Sequence, residues 1–156
     1  MGLINQNIES LKKAETQLEL VANKAILKNA EKILDLLKNN QLRKSIMSDG
    51  KLAPYYSPST VIFAMLDVPI TGASSKTDGD RYNYEWSGDW LREMYIKTES
   101  NDNGFNILSS DGKTKMLEFQ SGGKLTALTP KNNEKVNDEI IMPKLFDSVI
   151  DALLYF

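Results

Sequence analysis

Tyr95-Ile96-Lys97-Thr98-Glu99-Ser100-Asn101-Asp102-Asn103-Gly104-Phe105-Asn106-Ile107-Leu108 is the stretch that decides the fold. Its two ends are rich in aromatic and β-branched side chains, and they flank Asn101-Asp102-Asn103-Gly104. An Asn-Gly pair accepts the positive φ angles of a tight turn, so the spacing predicts a β-hairpin. Just upstream, Tyr82, Tyr84 and Trp86 alternate with Arg81, Asn83 and Glu85. That period of two predicts a strand with three rings on one face. The centre of the chain therefore reads as a small antiparallel sheet.

Helical patterns lie on either side of it. Ile4, Ile8, Leu11, Leu18, Val21, Ala25, Ile33 and Leu37 recur at spacings of three, four or their sums, the period of an amphipathic helix. Unbroken, that helix would reach roughly 50 Å at about 1.5 Å per residue. Either part of its stripe faces another subunit, or it breaks near Asn23 into two core helices; Lys24 and Asn29 interrupt a strict heptad. Asn39-Asn40 end the pattern and Ser48-Asp49-Gly50 mark a turn. Val61-Ile62-Phe63-Ala64-Met65-Leu66 is continuously apolar and reads as a buried strand or a short buried helix, which periodicity does not separate. Thr71 to Asp80 is small and polar throughout and reads as an exposed loop. From Asn133 onward, Val136, Ile140, Phe146, Val149, Ile150, Leu153 and Leu154 form a second helical pattern, which Pro143 should kink or restart. The expected fold is α+β, a small antiparallel sheet flanked by a long N-terminal helix and a C-terminal helix. Residues 1–38 form the amphipathic segment and 39–156 the α+β domain.

Composition narrows function by exclusion. The 156 residues are 41% hydrophobic and 26% charged, the range of soluble globular proteins. No apolar run approaches the roughly 20 residues that cross a bilayer. Met1 to Asn7 lacks the basic start, apolar stretch and cleavage site of a secretory signal, so synthesis in a cytoplasm is expected. Without cysteine there is no thiol nucleophile, disulfide or thiolate metal site. Without histidine the commonest general base and zinc ligand are missing. A net charge of −2 gives no global attraction to nucleic acid.

The remaining chemical candidates are weak. Asp78-Gly79-Asp80 with Glu85 lacks the alternating oxygen spacing of a calcium loop, and Glu99 to Ser110 has serine where the twelfth-position glutamate belongs. Asp89 with Glu93, or Glu85 with Glu118, are carboxylate pairs of the kind glycoside hydrolysis uses, but any acidic chain offers such pairs. Gly122-Gly123 lacks the spacing and lysine of a phosphate-binding loop. No enzyme, metal site or cofactor is expected. The aromatic series Tyr82, Tyr84, Trp86 and Trp90 is the one constellation suited to binding, either as core and subunit interface or as a glycan-binding face.

Four landmarks follow in order: Asp49-Gly50 with Tyr55-Tyr56-Ser57-Pro58-Ser59-Thr60, the loop Thr71 to Asp80, Ser87-Gly88-Asp89-Trp90-Leu91 before the strand Tyr95 to Thr98, and Leu117-Glu118-Phe119-Gln120-Ser121-Gly122. Gln41-Leu42 precedes the first, and Ala127-Leu128-Thr129 precedes the last helix. This layout resembles bacteriophage tail-completion and head–tail joining (neck ring) proteins, nearest to those of Bacteroides phages and prophages, including crAss-like phages. The resemblance covers roughly residues 39 to 154, and Ser45 stands where a glycine is usual. It implies a structural virion protein, made in the bacterial host cytoplasm, that forms a ring of six or twelve copies between portal and tail. Its partners would be copies of itself, portal or adaptor and tail proteins, with DNA passing through the channel and no membrane. It further implies that Trp86, Trp90 and Leu91 hold the sheet core and that the loop carrying Ser74, Lys76 and Asp78 contacts a neighbour.

Overall fold

The structure is a computed structural model and describes residues 2–71, 76–77, 79–84, 88–98 and 104–154. The predicted hairpin is present: β1 (Met94–Thr98) pairs antiparallel with β2 (Phe105–Ser109), with Met94 opposite Ser109 and Ile96 opposite Ile107. The Asn-rich turn, 101–103, lies outside the described residues. Met94 and Ile107 are buried, and β1 packs on α1 (Gly2–Lys28) and α2 (Ala30–Lys38). The fold is α+β, with its sheet confined to these two strands among the described residues.

Of the two readings of the N-terminal pattern, the broken helix is observed, with the break at Asn29 instead of near Asn23. The Asn29 side-chain amide donates to the Ala25 carbonyl at 2.8 Å, competing with the helix backbone where α1 ends. The 1–38 segment and the rest of the chain share one core, in which Ile26, Ile33 and Leu37 pack with Trp90, Leu125 and Val136.

Three expectations are corrected. Of the two readings of Val61 to Leu66 the helix is observed, in α3 (Pro58–Thr71), started by Pro58 in the first turn and by the Ser57 hydroxyl accepting from the Thr60 N–H, and it is the expected burial that is corrected. Its apolar run is not buried: Val61 and Ala64 face inward while Ile62, Phe63, Met65 and Leu66 are exposed. Arg81 to Tyr84 is not a strand. A single bridge joins Tyr55 to Arg81, and Tyr84 then turns the chain with φ +57°, which ends any extended run. The loop Thr71 to Asp80 is not exposed throughout, because Lys76 is 1% exposed. Ser74, Asp78 and Trp86 lie outside the described residues.

At the C-terminal end, α6 (Pro130–Val136) is followed by a widened π turn, Asn137–Ile141, and then α7 (Met142–Leu154). The irregularity falls just before Pro143, whose ring would clash with the carbonyl of Glu139 in a regular helix. A short α4 (Asp89–Arg92) carries Trp90 and Leu91 into the core, and α5 (Thr114–Ser121) ends on Gly122 at φ +66°.

Gln41, fully buried, ties the two halves together. Its Nε2 donates to the Ala127 carbonyl at 2.8 Å, and its Oε1 accepts from the Thr129 N–H at 2.9 Å and from Asn132 Nδ2 at 3.2 Å. Thr129 caps α6. Beside this clamp the Lys124 carbonyl accepts from the Ser48 N–H, and Lys124 Nζ pairs with Asp49 at 2.8 Å. Replacing Gln41 by Leu strands the buried Thr129 N–H, at about 1–3 kcal/mol, and removes the bonds to the part-buried Ala127 carbonyl and Asn132 amide. Urea unfolding of Gln41→Leu is expected to show a loss of about 2–4 kcal/mol; a loss within about 0.5 kcal/mol, the usual surface effect, would remove the clamp from the fold's essentials.

Candidate functional site

Rings from several parts of the chain converge on one groove. Tyr56 precedes α3, Tyr82 and Tyr84 come from the segment after Lys76, and Trp90 from α4. Their centroids form a ladder: Tyr56 to Tyr82 at 4.3 Å, Tyr82 to Tyr84 at 6.2 Å, and Tyr84 to Trp90 at 6.2 Å. The two longer separations lie within the range typical of aromatic pairs, and Tyr56 and Tyr82 approach slightly closer. Phe63 of α3 and Met116 and Leu117 of α5 complete the apolar lining, and Asp111, Lys113 and Gln120 supply polar groups. The groove has a volume of about 430 Å³.

Asn83 fixes the inner end of the ladder. Its Oδ1 accepts from Tyr56 Oη at 2.8 Å and from Lys76 Nζ at 2.9 Å, and its N–H donates back to Tyr56 Oη. The Lys76 ammonium also lies 5.3 Å from the centroid of the Tyr56 ring. A buried ammonium needs such contacts to replace its water, which is why this residue leaves the polar surface of its loop. On the outer side, Arg81 stacks on Tyr55 at 4.0 Å and donates to the Ala53 carbonyl and Tyr55 Oη. Trp90 is 4% exposed, and its Nε1–H donates to Thr114 Oγ1 at 3.2 Å.

Of the residues singled out in the sequence, Tyr82, Tyr84 and Trp90 meet in the groove, Leu91 is in the core behind it, and Lys76 stands at its inner end. Tyr56, Phe63 and Met116 escaped the reading. Tyr56 lies in a quoted landmark, yet its pairing with Tyr82 is set by tertiary contact, and Phe63 looked like core. Of the two carboxylate pairs, Asp89 pairs with Arg92 and Glu93 accepts from the Ser110 hydroxyl, while Glu85, the partner suggested for Glu118, lies outside the described residues. Among the described residues no acidic group of three or more could hold a metal ion, and no helix is long and apolar enough to cross a membrane. The arrangement is suited to stacking and apolar contact. Comparison of the chain with protein-family models, with curated proteins and with solved structures finds no match.

Burial, reinforced by Tyr56, Tyr82 and Glu118, pushes the Tyr84 phenol up from 10.0 to about 12. The folded chain therefore keeps this proton after the unfolded chain has released its own. The associated stability is full below pH 10 and is lost as pH rises toward 12. Urea midpoints are expected to fall across that window, less steeply in Tyr84→Phe; equal slopes would mean that Tyr84 does not govern the alkaline limb. Trp90→Ala should cost about 3–5 kcal/mol by chemical denaturation, whereas a near-neutral effect would identify Trp90 as a ligand-facing ring without a structural duty.

Proposed function

We propose that this chain is a non-catalytic structural subunit of a phage neck, which assembles into a ring joining the head portal to the tail. The observation that carries the reading is the surface of α3. A helix apolar all round is normally buried, yet here Ile62, Phe63, Met65 and Leu66 are each more than half exposed. The apolar surface continues across the groove, where Phe63 and Met116 share the lining, to Phe119, which is 88% exposed. Contiguous apolar surface of this kind marks a protein interaction site.

The landmarks of the resemblance also have definite structural duties. Gln41 bonds the Ala127-to-Thr129 segment, the Asp49-Gly50 turn pairs with Lys124, and Tyr56 packs on Tyr82. Ser45, where the resembled proteins usually carry glycine, adopts the left-handed conformation at φ 60° that glycine favours. The subunit would be made in the bacterial cytoplasm and end in the virion, with portal or adaptor and tail proteins as neighbours and DNA passing through the ring. A glycan-binding module is the second reading, favoured by the groove between Tyr56, Tyr82, Tyr84 and Trp90.

Mass spectrometry of purified particles, counting this chain against the portal protein, tests the first reading. A simple-ratio count is expected. Absence from particles would overturn it, and a glycan screen with Tyr82→Ala as control would then test the second. In an assembly assay, Phe63→Asp with Leu66→Asp should abolish ring formation while leaving the melting temperature within a few degrees, since both side chains face solvent in the isolated chain.

A further inference from the structure

Lysine is almost never fully buried, yet Lys76 is the largest of the fully buried side chains, at 1% exposure. Its Nζ lies 2.9 Å from Oδ1 of the Asn83 amide and over the face of Tyr56. The same Oδ1 accepts from the Tyr56 hydroxyl at 2.8 Å, so two donors converge on one carbonyl oxygen. Main-chain bonds hold the three residues at this spacing. The Tyr56 N–H donates to the Asp80 carbonyl, the Tyr82 N–H to the Pro54 carbonyl, and the Asn83 N–H to Tyr56 Oη.

An amine held against an amide is a nucleophile beside an electrophile. A carbonyl bond is about 1.2 Å long, which places Asn83 Cγ within about 4 Å of Lys76 Nζ; reacting atoms in a near-attack arrangement stand roughly 3–3.5 Å apart. A small rotation of the amide closes that difference. The Tyr56 hydroxyl already donates to the oxygen on which negative charge develops as an amine adds, which is the placement of an oxyanion-stabilising donor. Removal from water favours a neutral amine, the form that attacks, over an ammonium.

We propose that Lys76 and Asn83 join in an intramolecular isopeptide bond. Lys76 Nζ adds to Asn83 Cγ, the Nζ–Cγ bond forms, the Cγ–Nδ2 bond breaks, and Nδ2 departs as ammonia with the proton that Nζ gives up. The extra proton of the starting ammonium leaves with it, so the product is a neutral amide and an ammonium ion, with no change of oxidation state. The exchange replaces a buried charge, which is costly to keep out of water, by a buried amide. It staples the segment between α3 and α4 at the inner end of the ring ladder and so fixes one wall of the groove. The bond is independent of what the chain assembles with.

Intact mass spectrometry of the purified full-length chain tests the proposal. A mass one ammonia below that of the sequence is expected. Trypsin should then release residues 52–81 and 82–92 as one branched species, since a lysine in amide linkage is not cleaved. A wild-type chain at its full sequence mass would overturn the proposal. So would an ammonia loss that persists in Lys76→Arg, because it would belong to an asparagine closing on its own backbone, as at Asn103-Gly104. Tyr56→Phe is expected to slow bond formation after synthesis roughly a hundredfold, the scale for loss of one donor to a developing oxyanion; formation at the wild-type rate would overturn the role given to Tyr56. Should either variant fail to fold, fragment sequencing of the wild-type branched species decides: a junction between Lys76 and Asn83 supports the proposal, and a junction elsewhere overturns it.

Discussion

Everything in this fold turns on one side-chain amide. Gln41 sits where α2 has ended and the chain must cross to the far half of the molecule, and it accepts and donates as a backbone strand would. A buried amide has few ways to be satisfied, and each partner it finds fixes a position. Here the partners are the Ala127 carbonyl, the Thr129 N–H and the Asn132 amide, so one residue locates the start of α6. That placement brings Val136 and Ile140 against Ile26 and Ile33, and with them the whole core.

Because the core is assembled from α1, α2, α4, the hairpin and α6, other elements are left outside it. α3 contributes only Val61 and Ala64 among its described side chains, and α7 turns its Met142, Phe146, Val149 and Ile150 face to solvent. Under the proposed neck-subunit reading, the exposed apolar residues of α3 would meet a neighbouring protein. The groove is the place where the α3 surface meets rings already held by the core, so its shape is set from behind by Trp90 and Leu91.

Polar groups near the groove are held by rings as much as by charges. Lys76 is stabilised by Asn83 and the Tyr56 face, and Arg81 by the Tyr55 face. These contacts tie the segment after α3 to the one before it, which keeps the two ends of α3 in register with each other. The raised Tyr84 phenol reflects the same apolar surroundings.

By itself the sequence determined the elements whose signals are local. The β1–β2 hairpin, the amphipathic periods at both ends, the helix-ending Asn39 and the disturbance around Pro143 all follow from backbone preference and side-chain period, which act over a few residues. The Tyr82 and Tyr84 rings were legible as a group, but the period of two that marked them is not a strand, since it ends where Tyr84 takes a positive φ. Tertiary structure alone decided which apolar segments are inside. Val61 to Leu66 has the composition of a core element, yet burial depends on what other surfaces are available to cover it, and the core was already filled by Trp90, Leu125 and Val136. The burial of Lys76 was likewise decided by a ring and an amide arriving from other parts of the chain, a contact that no local pattern encodes.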